Sequence, residues 1–188
     1  MSKLTGLLLL TTLCLTACGQ SEKATEVAAV AEKTADTAVT TAKIINAEPS
    51  GWLSHGRTYS EQRNSPLADI NTGNVDKLGL LWSYDLGTSR GIEATPLVSN
   101  GVMYVTSTWN IVHAMDAKTG AKLWSFDPQV DKAQAAKGCC DVVNRGVALW
   151  GDSVFTATID GRLISLDAKT GAKNWDINTI DKSRSYTI

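Results

Sequence analysis

Cys139 and Cys140 are neighbours in the run Lys137-Gly138-Cys139-Cys140-Asp141-Val142-Val143-Asn144-Arg145-Gly146. Adjacent Cα atoms on a trans peptide lie about 3.8 Å apart, below the usual disulfide range of roughly 4.4–6.8 Å. A bridge between them closes a small strained ring but no chain loop, so it adds little stability through chain entropy. Oxidised, the pair is a surface for something to rest on. Reduced, it is two buried thiols that happen to be adjacent, and the pair alone leaves both readings open. Arg145 follows on the same stretch, and a guanidinium fork suits a carboxylate. Glu93 stands in Arg90-Gly91-Ile92-Glu93-Ala94-Thr95-Pro96, just before a strand-entry proline. Taken singly, Glu93 reads as a solvated turn acid and Arg145 as half of a surface ion pair.

The other two cysteines lie in a leader. Lys3 gives a thin positive start, and Leu7 to Leu15 is an apolar run too short to span a bilayer as a mature helix. It ends in Leu15-Thr16-Ala17-Cys18, which resembles a bacterial lipobox, with Cys18 as the lipidated first residue of the mature protein. An ordinary secretory peptide cleaved nearby is the alternative. Gln20, rather than Asp, fits outer-membrane sorting, so the expected location is periplasmic and lipid-anchored. Export permits disulfides. Cys14 leaves with the leader and Cys18 carries lipid, so the one intrachain partner left to Cys139 is Cys140.

Three regions follow: 1–18 as signal peptide and lipobox, 19–50 as low-complexity linker, and 51–188 as the folded part. Residues 21–48 are rich in Ala, Thr, Glu and Lys and hold no aromatic residue. Such a stretch buries too little apolar surface to offset its ordering entropy, so it reads as a disordered tether. Across the 188 residues, 18 Lys and Arg face 19 Asp and Glu, for a net charge of −1. That balance argues against a nucleic-acid partner.

The elements that must hold Glu93 and the cysteine run are strands. Val102–Thr106 aligns with Ser153–Ala157, and Ile111–Trp124 with Arg162–Trp175, at an offset of 51 residues. Asp-Ala-Lys-Thr-Gly-Ala-Lys is identical in both copies, and a degenerate earlier copy ends at Leu80-Leu81-Trp82-Ser83-Tyr84. The β-branched and aromatic runs read as strands. Asn100-Gly101, Asp160-Gly161 and Lys-Thr-Gly read as the turns between them, the last with glycine at φ > 0. Each Trp then falls on the strand after its turn, where its ring packs between sheets. Repeats of this length point to an all-β fold, a partial β-propeller of two to three blades. So few blades close no ring, so the chain is expected to be the N-terminal part of a larger protein. The copy offset exceeds the 42 residues from Trp82 to Trp124, and the surplus falls between Asp127 and Val147, around the cysteines. An insertion at a blade junction is where a binding loop belongs.

The unit Ala114-x-Asp116-x-x-Thr119-Gly120-x-x-x-Trp124 resembles the tryptophan-docking repeat of quinoprotein propellers; the second copy has Ser165 in the Ala position. From Trp52 to Ile188 the chain resembles the PQQ-dependent alcohol dehydrogenases. Gly56-Arg57-x-Tyr59, Arg63-x-Ser65-Pro66-Leu67, Glu93-Ala94-Thr95-Pro96, the Cys139–Gly146 run and Asp160-Gly161-Arg162-Leu163 carry the resemblance. Asp85-Leu86-Gly87-Thr88 leading to Arg90-Gly91 is closest to the ethanol-type members, some of which carry a haem c domain. Asn64 replaces the aromatic residue usual before Ser-Pro-Leu.

The resemblance implies an eight-bladed propeller with PQQ in its central channel, stacked on a vicinal disulfide, here Cys139–Cys140. Glu93 and Arg145 match residues that bind the polar edge of PQQ, a planar tricarboxylate quinone. Ca2+ ligands, the catalytic Asp and any haem c site lie outside these 188 residues, so no catalytic or metal-binding residue is assigned. The implied reaction takes a primary alcohol to an aldehyde, with hydride transfer to PQQ and electrons passing to a cytochrome c. By itself the fragment is expected to be inactive. The alternative function is a non-enzymatic propeller lipoprotein scaffold of outer-membrane assembly.

Overall fold

The computed structural model describes residues 37–46, 48–137, 141–184 and 186. The leader with Cys18, the first part of the tether, and the Cys139–Cys140 pair lie outside the described residues.

Two four-stranded antiparallel sheets carry the structure, each with its strands in chain order. The first holds β1 (Leu97–Ser99), β2 (Val102–Thr106), β3 (Val112–Asp116) and β4 (Lys122–Phe126). The second holds β5 (Ala148–Trp150), β6 (Ser153–Ala157), β7 (Arg162–Asp167) and β8 (Lys173–Asn178). The repeat read from the sequence is this pair of blades. Even the irregularity repeats: β3 and β4 shift register at Ala114/Met115, and β7 and β8 shift at Ser165/Leu166.

The turns follow from their residues. Asn100 and Gly101 both take positive φ, at 50° and 76°, and join β1 to β2. That is the mirror-image two-residue turn that fits the twist of a hairpin. In Asp116-Ala117-Lys118-Thr119-Gly120 the aspartate caps its own turn, accepting from Lys118 N (3.0 Å), Thr119 N (2.8 Å) and Thr119 Oγ1 (2.8 Å). Asp167 does the same for Lys169 N (3.1 Å), Thr170 N (2.8 Å) and Thr170 Oγ1 (2.7 Å). The threonine hydroxyl is the first cause holding both carboxyls below their usual pKa. Gly120 and Gly171 close the two turns at φ 73° and 72°, a region in which a side chain is strained.

Strand alternation sends Leu97, Tyr104, Ala114 and Trp124 of the first sheet toward Val154, Ile164 and Leu166 of the second, and these residues form one buried cluster. The other face of the first sheet buries Val105, His113 and Met115. Tyr84 covers that face, its ring edge-on to His113 at 5.8 Å.

Two expectations change. The degenerate earlier copy predicts a third strand at Trp82, yet residues 80–84 form no ladder. Its ring nevertheless lies over Gly120, where an added Cβ would come within 2.6 Å of Cδ2. A strand needs a hydrogen-bonded neighbour, and this segment has none among the described residues, so the indole docks without a sheet behind it.

The end of the stretch read as tether is also ordered. Val39 and Gly151 exchange backbone hydrogen bonds at 2.9 and 2.8 Å. A single helical turn follows at α1 (Thr41–Ile45), whose cap Thr40 accepts from Lys43 N at 3.3 Å. Val39 and Ile44 are buried in the main cluster. Two apolar residues with a sheet corner to pair against are enough to dock a segment whose average composition predicts none.

Candidate functional site

The insertion between β4 and β5 spans residues 127–147, as the sequence places it. Its start is tied to the second sheet. Arg162 Nη2 donates to Pro128 O at 2.7 Å, and Asp131 N donates to Asp160 Oδ2 at 3.2 Å. Arg162 Nε in turn meets Asp160 Oδ2 at 3.0 Å, and Nη1 meets Asp176 Oδ2 at 2.9 Å. Burial pushes the Asp160 carboxyl up, but hydrogen bonds from Arg162, Thr158 and the Asp131 amide outweigh it and hold it below its usual pKa. Further along, Val130, Val142 and Ile159 make a small second core with Trp109 packed against it.

Trp109 and Asn110 sit where β2 turns into β3, both at left-handed φ, 62° and 61°. For a tryptophan that conformation is strained by about 1–2 kcal/mol. The surroundings hold it there: Trp109 N donates to Val142 O at 3.1 Å, and Asn110 Oδ1 accepts from Ile159 N at 3.0 Å. The Trp109 ring collects cations, with the Arg90 guanidinium 5.9 Å and the Lys132 ammonium 5.3 Å from its centroid. Arg90 also pairs with Asp141.

The end of the insertion returns against the segment before β1. Thr95 N donates to Arg145 O at 3.2 Å. Gly146, at φ 124°, passes so close that an added Cβ would lie 3.0 Å from Thr95 O. This contact brings two residues singled out in the sequence together: Arg145 Nε lies 3.6 Å from Glu93 Oε2. Their side chains are 84% and 49% exposed. An ion pair so exposed adds at most about 1 kcal/mol to the fold. Its value lies in presenting a guanidinium and a carboxylate side by side to solvent.

The geometry thus joins Glu93 to Arg145, and Cys139 and Cys140 fall between the described residues Lys137 and Asp141. Among the described residues, no group of three His, Cys, Asp or Glu side chains is arranged to hold a metal ion. The Arg145 guanidinium suits a carboxylate, the group a planar polycarboxylate offers. At 3.6 Å the Glu93 contact is longer than a normal hydrogen bond, and the Arg145 side chain is 84% exposed, so its guanidinium is open to a ligand. Sequence reasoning read Asp160 as a turn residue, met Asn144 and Arg162 only inside motifs of the resemblance, and gave no role to Trp109 or Asn110. One signal for them was present: at the copy offset, Trp109-Asn110-Ile111 stands against Asp160-Gly161-Arg162, and there the two copies diverge.

Blades whose Trp docks on the Gly of the next turn, with an inserted loop carrying charge at their junction, define a quinoprotein-type propeller segment. Residues 52–176 match the family described as "Glucose/ethanol/alcohol dehydrogenase, beta-propeller domain", and the chain belongs to this PQQ family. Over 137 residues it is 56% identical to a quinohemoprotein alcohol dehydrogenase of Pseudomonas putida, covering 73% of this chain and 20% of that one. Over 166 residues it is 52% identical to the dehydrogenase subunit of the alcohol dehydrogenase (quinone) of Gluconobacter oxydans, covering 85% and 22%. A solved quinohemoprotein alcohol dehydrogenase from Pseudomonas putida superposes with a TM-score of 0.79 at 52% identity, covering 81% of this chain and 23% of that one. The Comamonas testosteroni enzyme gives 0.73 at 49%, covering 79% and 23%. The chain spans about a fifth of the length of the curated relatives it matches.

Proposed function

We propose that these 188 residues serve as the N-terminal part of a PQQ-dependent alcohol dehydrogenase, exported to the periplasm and anchored by lipid on Cys18. The observation that carries this reading is the exposed Glu93–Arg145 pair, held at 3.6 Å by the return of the inserted loop. Arg145 binds a carboxylate or quinone oxygen of the cofactor, and Glu93 accepts a hydrogen bond from a ring N–H or opposes a metal's charge. Cys139 and Cys140, as a vicinal disulfide, form the floor beneath the rings. The bound quinone supplies the two-electron acceptor for alcohol oxidation.

The residues of this chain bind and orient; none of them takes the substrate proton. Calcium, the catalytic base and any haem c belong to residues outside these 188, which by themselves are proposed to oxidise no alcohol. A primary alcohol is the substrate and a cytochrome c the electron acceptor. The second fits the name of a Thauera butanivorans relative, 1-butanol dehydrogenase (cytochrome c). A scaffold needs the sheets and the docked tryptophans but neither the insertion nor the Glu93–Arg145 pair.

The test uses the polypeptide in the length its host makes, titrated with PQQ in the presence of Ca2+. Glu93→Gln and Arg145→Ala should each weaken PQQ binding about tenfold, the loss of one charge-assisted hydrogen bond. Unchanged PQQ affinity in both variants would overturn the role given to the pair, and failure of the unsubstituted protein to bind PQQ or to reduce dye with ethanol would overturn the reading.

A further inference from the structure

We propose that Asn144 is a positioning residue for Arg145, an inference that rests on the cofactor-site reading above. Its side-chain amide ties three separate pieces of chain together. Oδ1 accepts from Thr106 Oγ1, at the end of β2, at 2.8 Å. The same oxygen accepts from Gly146 N, two residues on, at 2.8 Å. Nδ2 donates to Ala157 O, at the end of β6, at 3.0 Å. The two sheets and the inserted loop therefore meet at one amide.

The amide fits in one orientation only. Turned over, it would set its oxygen against the Ala157 carbonyl and its NH2 against the Gly146 N–H, and both contacts would be repulsive. Asn110 Nδ2 donates to the same Ala157 O at 3.2 Å, so both lone pairs of that carbonyl are in use. Two of the three groups that fix Asn144, Thr106 Oγ1 and Ala157 O, thus belong to the sheets and not to the loop.

What it fixes is the residue beside it. The bond from Gly146 N to Asn144 Oδ1 is a side-chain turn that encloses Arg145. The Arg145 carbonyl is held from the other side by Thr95 N at 3.2 Å. With its peptide clamped on both flanks, Arg145 leaves the backbone in one direction, toward Glu93. The side chain is long and exposed, so this clamp supplies the preorganisation its own packing does not. Asn144 touches no ligand in this scheme; it acts through Arg145.

A double-mutant cycle on PQQ affinity tests the inference, using the polypeptide in the length its host makes, with Ca2+ present. Asn144→Ala should weaken PQQ binding about tenfold when Arg145 is present and not at all in an Arg145→Ala background. Equal losses in the two backgrounds mean a merely structural role and overturn the proposal. If Arg145→Ala weakens binding and Asn144→Ala does not, the proposal fails while the cofactor-site reading stands. If Arg145→Ala changes nothing, that reading fails and takes this one with it. Thr106→Val covers the case in which Asn144→Ala does not fold. It removes one donor to the same amide and should cost about threefold, again only when Arg145 is present; no loss overturns the proposal.

Discussion

Trp124 lies flat on Gly171. An added Cβ at that glycine would come within 2.6 Å of the indole Cδ2. The ring nitrogen meanwhile donates to Ala168 O at 3.1 Å. The blade-to-blade joint is therefore one indole seated on one turn, by its face and by its N–H. Trp82 on Gly120 repeats the seating. The glycine serves twice, since its φ of 72° closes the turn and its missing side chain leaves room for the ring.

Gly171→Ala should accordingly cost more than either effect alone. Left-handed φ on a residue with a Cβ costs about 1–2 kcal/mol. Forcing a methyl into a packed contact adds about 1–3 kcal/mol. A loss of roughly 2–5 kcal/mol is expected, read as a lower denaturant midpoint at unchanged slope. Gly101→Ala, at φ 76° with open space where its Cβ would stand, separates the two contributions, because it carries the backbone strain without the clash. Equal losses at the two positions would mean that the ring contact matters little.

Ala168 O is shared between Trp124 Nε1 and Tyr104 OH, both at 3.1 Å. Trp124→Phe or Tyr104→Phe alone leaves the carbonyl one donor, and each should cost about 1 kcal/mol from the hydrogen bond. Removing both orphans a partly buried carbonyl, so the double variant should lose more than the sum. Burial first, and the Asp167 charge second, push the Tyr104 phenol up from 10.0 to about 12. Stability from keeping that phenol neutral is whole below pH 10 and is lost as pH rises to about 12. Tyr104→Phe should remove this alkaline loss. An unchanged alkaline limb in the variant contradicts the assignment.

The two blades were legible because the sequence states them twice. Two copies in register fix the strands, and the identical Asp-Ala-Lys-Thr-Gly turn fixes where Trp124 and Trp175 fall. Glu93 and Arg145 were legible only through resemblance, because their meeting depends on one backbone bond from Thr95 N to Arg145 O that no local pattern encodes. Trp109 gave no sign of its left-handed φ, since that residue type has no preference for it and the loop at Val142 imposes it. Val39 and Ile44 were hidden for a different reason. Composition averages a segment, and two buried side chains among many polar ones leave the average unchanged.

His113 gives the fold an acid-sensitive point. Its Nε2 lies 3.1 Å from Ser107 Oγ, and its Nδ1 has no hydrogen-bond partner among the described residues. Burial first, then the Lys122 ammonium, lower its pKa from 6.5. The unfolded chain therefore takes up the proton more readily than the folded one. The stability linked to the neutral ring is whole above pH 6.5 and is lost as pH falls through the lower folded value. The His113 ring proton should titrate below 6.5 by NMR. His113→Gln should flatten the acid side of the melting-temperature profile, and parallel profiles would count against this account.

Arg162 should be the most costly polar residue to remove. Its side chain is 18% exposed and its partner Asp160 only 4%. Arg162→Met keeps most of the packing but leaves the Asp160 carboxylate buried without its cation, a change worth about 3 kcal/mol or more at neutral pH. The pH dependence identifies the cause. In the wild type, Arg162, Thr158 and the Asp131 amide hold the Asp160 carboxyl below 3.8 against its burial. That contribution is whole above 3.8 and is lost as pH falls through the lower folded value. Without Arg162 the burial is less opposed and the carboxyl rises, so the folded variant takes up a proton where the wild type does not. Acidification should then narrow the gap between wild type and variant, measured by denaturation at neutral and mildly acidic pH. Asp160→Asn in the Arg162→Met background should recover part of the loss at neutral pH, because it removes the stranded charge and keeps the acceptor for Asp131 N. A gap that is constant with pH, or a double variant as unstable as the single one, would show that Arg162 acts by packing alone.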